Sequence, residues 1–183
     1  MRAEDILYFW FIESGPKRWW KKSVRFDALV KRRFLLTYKA AVRGELAHWR
    51  TTDRGRLAEI IVLDQFSRNM FRGKSAAFDA DPVALVLAQE AVALDVGGAR
   101  NGNWKGDWLQ FLYMPYMHSE SLSVHETAVQ LFSKPRLVKN LEFEMRHKKI
   151  IERFGRYPHR NGILGRKSTV EELEFLKQPG SGF

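Results

Sequence analysis

Apolar positions along this chain recur at three- and four-residue spacing, the rhythm of helices that each bury one stripe, while the period-two alternation of strands is almost missing. Residues 4–13 predict a first short helix around the apolar run ILYFWFI, closed by Ser14, Gly15 and Pro16. A second helix runs over about 23–43, with Phe26, Val30, Phe34 and Ala41 on its stripe and Gly44 as its stop. A third starts with Leu57, Ile60, Ile61 and Leu63, taking Asp53 as N-cap and ending before Gly73. Asp81 and Pro82 open a fourth, because proline suits the first helical turn, and Gly97-Gly98 ends it. Residues 99–107 read as a loop rich in Gly and Asn. Helical spacing resumes near Asp107, is bent or interrupted at Pro115, and continues to about Ser133. Pro135 starts a long basic helix reaching about Phe154, and Ser168-Thr169-Val170-Glu171 matches a capping box for a last short helix. Helices of ten to twenty residues with short connections predict an all-α fold of antiparallel helix pairs. No fixed-period repeat is visible.

The third helix departs from this pattern. Over LAEIIVLDQFSRNMFRG (57–73), an apolar stripe is loaded with Asp64, Gln65, Arg68, Asn69 and Arg72. The pairs 64/68, 65/69 and 68/72 are each four apart, so each pair stacks on one helical face. With apolar residues flanking both faces, some of these groups are at least half buried, and a buried charge must be paired or hydrogen-bonded. The segment is therefore either a structural lock or a binding surface.

Composition bounds the class. The 183 residues are 45% hydrophobic and 13% aromatic, enough for one globular domain spanning 1–183 with a sizeable core. Cysteine is absent, which excludes disulfides, thiolate metal sites and cysteine nucleophiles and fits a reducing cytoplasm. ILYFWFI is too short to cross a bilayer, and Glu4 and Asp5 stand where a signal peptide would be basic. A soluble protein without membrane attachment is expected. The formal charge of +10 is concentrated in two blocks: residues 17–39 hold nine basic side chains against Asp27 alone, and 134–167 hold eleven against Glu142, Glu144 and Glu152. Such blocks can attract nucleic acid, but solvated helix faces also carry Lys and Arg, and that plainer account is preferred. Trp10, Trp19, Trp20, Trp49, Trp104 and Trp108 are scattered and read as packing anchors rather than a base-stacking platform.

Three strings carry a specific resemblance: LDQFSRNMFRG (63–73), FLYMPYMHSE (111–120) and RFGRYPHRNGILGRKSTVEELEFL (153–176). With ILYFWF at 6–11, they resemble the bacterial family called domain of unknown function 924, in order and over nearly the whole chain. The resemblance implies a single all-helical domain similar to tetratricopeptide-repeat proteins, and it implies no established reaction. Two positions depart from the family pattern. His125 stands where Gln is expected after HSE, and Leu109-Gln110 lacks the Arg expected before FLYMP.

Candidate chemistry gathers in the quoted strings. In His118-Ser119-Glu120, the two ligand-type side chains are two apart and face opposite sides of a helix, and His118 and His125 are about two turns, roughly 10 Å, apart. One ion cannot bridge either pair without a broken helix or outside ligands, so no metal or other cofactor is assigned. Ser119 is expected to bond locally, with His118 and Glu120 reaching other helices. The 156–161 loop, RYPHRN, is stiffened by Pro158 and holds two Arg forks and an imidazole. Either it is a rigid connector whose arginines pair with Asp64, Glu120 or the final acidic helix, or it binds a carboxylate or phosphate. No nucleophile elbow and no phosphate-binding Gly-rich loop is present.

The leading expectation is a binding module whose polar groove is built from Asp64, Gln65, Arg68, Asn69, Arg72, His118, Glu120, His159, Arg160 and Asn161. Its arginines would clamp an acidic peptide or small anionic ligand, with Asp64 and Glu120 orienting them. The alternatives are a hydrolase-like or other enzyme using His118 with Glu120 or Asp64, and nucleic-acid binding through the basic helices. Oligomeric state is not legible in the sequence.

Overall fold

Local signals fix most helix ends. In the computed structural model, which describes residues 1–98 and 104–182, Ser23 caps α3 (Val24–Val42) by accepting the Phe26 N–H at 3.3 Å. Phe26, Val30, Phe34, Tyr38 and Ala41 form its buried stripe, as the spacing predicts. Upstream, α1 (Ala3–Tyr8) passes into a π-helical stretch (Phe9–Ser14), and Pro16 starts the short α2 (Pro16–Trp19). The polar-loaded segment comprises α4 (Asp53–Ile61), a π-helical stretch (Val62–Phe66) and α5 (Ser67–Met70). Then follow α6 (Asp81–Ala93), α7 (Gly106–Met117), α8 (Leu122–Phe132), α9 (Val138–Phe154) and α10 (Val170–Leu176). The class is all-α, with no strand among the described residues. Of the loop expected at 99–107, residues 99–103 lie outside the described residues.

Three local expectations are corrected. Thr52, not Asp53, caps α4, accepting the Gly55 N–H at 3.0 Å, which frees the Asp53 carboxylate to accept the Gly97 N–H at 2.8 Å. The capping box of α10 lies one residue further on, with Thr169 and Glu172 exchanging bonds. Pro115 does not interrupt its helix. It is buried, and α7 packs against α4, α6 and α8, so tertiary burial outweighs the local cost of the missing N–H. The break falls after Met117 instead, between His118 and the extended Ser121.

Phe9, Trp10, Phe34, Phe66 and Phe111 are all buried at the centre of the main core. Phe34 meets Phe9 and Phe66 at centroid separations of 4.7 and 4.8 Å, and Trp10 meets Phe66 and Phe111 edge-on. A smaller cluster of Ile150, Ile151 and Tyr157, flanked by Phe154 and Phe175, holds the C-terminal segment. Trp20 is the exception to the anchoring role expected of the tryptophans: it is 60% exposed. Among the described residues no helix is long and apolar enough to cross a membrane.

Candidate functional site

The π-helical stretch Val62–Phe66 packs against α3 and α6 with every one of its five residues buried, Asp64 fully. A π turn widens the helix and leaves its carbonyls looking for donors. The Asp64 carbonyl finds two, Ser67 Oγ at 3.0 Å and Arg68 Nη1 at 2.7 Å. The Asp64 carboxylate meets His118 Nδ1 at 2.7 Å, accepts from Gln65 Nε2 at 2.6 Å, and has Arg68 Nη1 at 3.2 Å. Burial alone would raise this carboxyl, but Arg68, His118 and Gln65 together hold it well below the usual carboxylate range. Conversely, burial and then the charge of Arg68 push the His118 imidazole down, with Asp64 offsetting only part of the shift. The pair is thus an ionised aspartate orienting a neutral imidazole through Nδ1.

His118 reaches Asp64 because α7 ends there, turning the side chain off the helix C-terminus. Asp81 arrives from the start of α6 and grips Arg68 with two bonds of 2.9 Å. Arg160 comes from the short 3-10 turn Pro158–Arg160 and is held differently. Its guanidinium lies 4.7 Å from the Phe78 ring centroid and 4.5 Å from that of Tyr157, and its nearest acid among the described residues, Asp81, is 3.6 Å away. Only 7% of the residue is exposed, yet its Nε is buried with no hydrogen-bond partner. Burial, followed by repulsion from Arg68, pulls its pKa below the ordinary guanidinium value. Two arginines in one cluster therefore have opposite conditions: Arg68 is bonded to two aspartates through both Nη groups, and Arg160 keeps an orphaned Nε.

The ten expected groove residues do not form one surface. Asp64, Gln65, Arg68, His118 and Arg160 share the network just described. Asn69 and Arg72 turn to Asp27 of α3, at 2.8 Å and at 2.6 and 3.0 Å. The π turn and the end of α5 offset the halves of the segment, so 65/69 and 68/72 lose the stacking that a regular helix would give. Glu120 is the partner of neither His118 nor the expected arginines. It accepts from both Nη groups of Arg166 at 2.6 and 2.9 Å and from the Tyr157 N–H at 2.8 Å. Asn161 is buried against Glu172, Ser168 and Arg166. His159 stands beside the Tyr157 ring, its imidazole lowered to about 4 by burial and Arg160.

Much of this constellation escaped sequence reading. Asp81 read only as a helix start and Asp27 only as a lone acid in a basic block, while Arg166 and Glu172 lay inside a quoted string without being singled out. His125, the departure from the family pattern, is fully buried, with Nδ1 2.6 Å from Glu144 and Nε2 2.9 Å from the Ser119 carbonyl. It braces the turn that presents His118.

The comparisons agree with the all-helical fold. No curated protein matches the chain. A solved structure described as a protein of unknown function, ATU0120 from Agrobacterium tumefaciens, is similar at 38% identity over 96% of each chain, with a TM-score of 0.89. The model of a family described as "Bacterial protein of unknown function (DUF924)" matches residues 6–180, and the chain belongs to that family.

Proposed function

We propose that this protein binds a small anionic ligand, a carboxylate or phosphate, whose acidic group is read by Arg160 beside the imidazole of His118. The observation that carries the reading is the contrast between the two arginines. Arg68 spends its charge on Asp64 and Asp81, whereas Arg160 is desolvated between two rings with an orphaned Nε and, among the described residues, no acid closer than 3.6 Å. A buried guanidinium in that condition is costly until an anion supplies the missing bonds. Asp64 and Arg68 are then the scaffold, and Asn69, Arg72, Glu120 and Asn161 belong to the tie points around it. The acidic terminus of a peptide is the larger ligand of the same chemistry. The tetratricopeptide-repeat-like layout is part of this proposal: α7 packs on α8 and α8 on α9, and stacks of helical hairpins present concave binding faces. A cysteine-free chain suits a reducing cytoplasm, where we place the binding.

Thermal unfolding in phosphate or succinate, against chloride at equal ionic strength, tests this. A ligand at about a hundred times its Kd stabilises the wild type by about 2.7 kcal/mol. Arg160→Met should remove the specific gain. An equal gain in both proteins would defeat the assignment.

One observation favours a second reading, catalysis. The 2.7 Å bond from Asp64 to Nδ1 fixes the His118 tautomer, and burial keeps the ring neutral, as a general base requires. Its partner in such chemistry is Asp64 rather than Glu120. Turnover of activated phosphate or carboxylate esters that disappears in His118→Ala but survives in Ser119→Ala would favour it. Equal rates in all three proteins would remove it.

A further inference from the structure

The basic block at 17–39 keeps its one acid inward. Asp27 faces Asn69 and Arg72, and among the described residues Arg33 is the one cation of the block with an acidic partner, Glu13 at 2.8 Å. Lys17, Arg18, Lys21, Lys22, Arg25 and Arg32 are all exposed and make no ion pair among the described residues. Between α2 and α3 the chain leaves a cleft of about 770 Å³ lined by Arg18, Ser23, Arg25, Phe26, Leu29 and Arg32, with no acidic side chain in its wall. Uncompensated positive charge in a concave, low-dielectric wall focuses potential on whatever anion enters.

The short segment that joins two of the lining residues, Arg18 and Ser23, carries an aromatic ring of unusual exposure, Trp20. Trp19 is turned inward, its Nε1 donating to the Trp10 carbonyl at 2.9 Å, while the next side chain, Trp20, is exposed. Trp20 lies nearly parallel to the buried Phe111 ring, 14° apart with centroids at 6.0 Å, and meets Trp19 edge-on. One face of the indole is therefore backed by the core while 60% of the residue stays exposed. A ring supported from behind, among cations, is a stacking platform.

From the cleft and the ring together we infer that this edge binds single-stranded nucleic acid, phosphates following Arg18, Arg25 and Arg32 and a base stacking on Trp20. None of the residues that hold Arg160 takes part, and the binding does not depend on the anion proposed there. An anionic membrane surface would be attracted by the same charge, but a flat bilayer cannot enter a concave cleft, whereas a single strand can follow it.

Fluorescence anisotropy with labelled oligothymidylate and oligouridylate of about 20 nucleotides measures the interaction; a few bases occupy such a platform. Three arginine–phosphate contacts give a salt slope of about −2, or about fifteenfold weaker binding between 50 and 200 mM salt. Replacing all three, R18Q/R25Q/R32Q, should flatten the slope by about 2. Trp20→Ala should weaken binding about tenfold and Trp20→Phe much less, since stacking on any ring survives. These side chains are exposed, and circular dichroism confirms whether each variant is folded. If one is not, the wild-type slope and oligonucleotide-induced quenching, compared between wild type and Trp20→Phe, decide the matter. Wild-type binding that is absent or insensitive to salt overturns the inference. So does full affinity in folded Trp20→Ala, or binding to phosphatidylglycerol vesicles without binding to either oligonucleotide.

Discussion

Replacing Arg68 and Arg160 separately by methionine should give unequal results, although both are arginines facing the same Asp81. Methionine keeps the length and fills space flexibly while removing the charge. Arg68→Met strips Asp81 of two 2.9 Å bonds and leaves buried Asp64 with only His118 and Gln65. Breaking a buried pair from one side costs about 3–5 kcal/mol. For a domain of this size each kcal/mol is worth about 2–4 °C, so the midpoint should fall by about 6–20 °C. Arg160→Met loses two cation–π contacts, at 4.7 and 4.5 Å, and the 3.6 Å pair with Asp81, the two ring contacts together worth about 2–4 kcal/mol. It also removes a buried donor without a partner, a relief of about 1–3 kcal/mol. These largely offset, leaving a loss of no more than about 2 kcal/mol, below that of Arg68→Met. Thermal and urea unfolding at pH 7 in a buffer without phosphate or carboxylate measures both. A loss in Arg160→Met as large as that in Arg68→Met would make Arg160 another tie of the lock and refute the division of labour.

Two buried carboxyls should respond to pH in opposite senses. Asp64 is held below its ordinary 3.8, so its stabilisation is complete above that value and is lost only as pH falls through the lowered folded pKa. Glu144 is raised above its ordinary 4.5, chiefly by burial, so its contribution is complete below 4.5 and is lost as pH rises through the higher folded pKa. Glu144→Gln should therefore flatten the pH dependence of unfolding above pH 4.5, and an unchanged profile in pH-dependent unfolding would refute the assignment. Gly55→Ala should destabilise despite the helical advantage of alanine of about 1 kcal/mol, because a Cβ there would collide with the Trp49 carbonyl, which is backbone and cannot swing aside; a raised melting temperature would contradict the geometry. Thr169→Ala should cost about 1 kcal/mol by removing the capping oxygen of α10 and should speed proteolysis of the C-terminal segment.

The helical layout was legible because it follows from local rules. The stripe of α3 and its Ser23 cap need nothing beyond the segment itself, and the expected ends fall within a residue of those observed. Pro115 failed as a break because its cost is local while its compensation comes from neighbouring helices. The site was half legible for a related reason. Asp64 and Arg68 announce themselves by crowding an apolar stripe, and the 64/68 pair survives as a 3.2 Å contact. Their other partners, His118 and Asp81, come from the ends of separate helices, and no spacing within one segment encodes that meeting. The π turn is also invisible to a 3.6-residue period, which is why Asn69 and Arg72 were grouped with residues that they do not face.

Lock and site therefore describe different residues of one network rather than rival accounts of all of it. An arginine as deeply desolvated as Arg160 needs a rigid frame, or it would swing out to water and recover its hydration. Phe78 and Tyr157 hold its two faces, and Asp81 sits at 3.6 Å, near enough to reduce the cost of the charge but too far to satisfy it. Asp81 keeps that distance because Arg68 already claims both of its oxygens, and Arg68 is fixed in turn by Asp64 and the π turn. The bonded pairs thereby preserve the unsatisfied one. A mutation that loosened them, such as Asp64→Asn, should release Asp81 toward Arg160 and weaken anion binding without touching the residue that reads the anion.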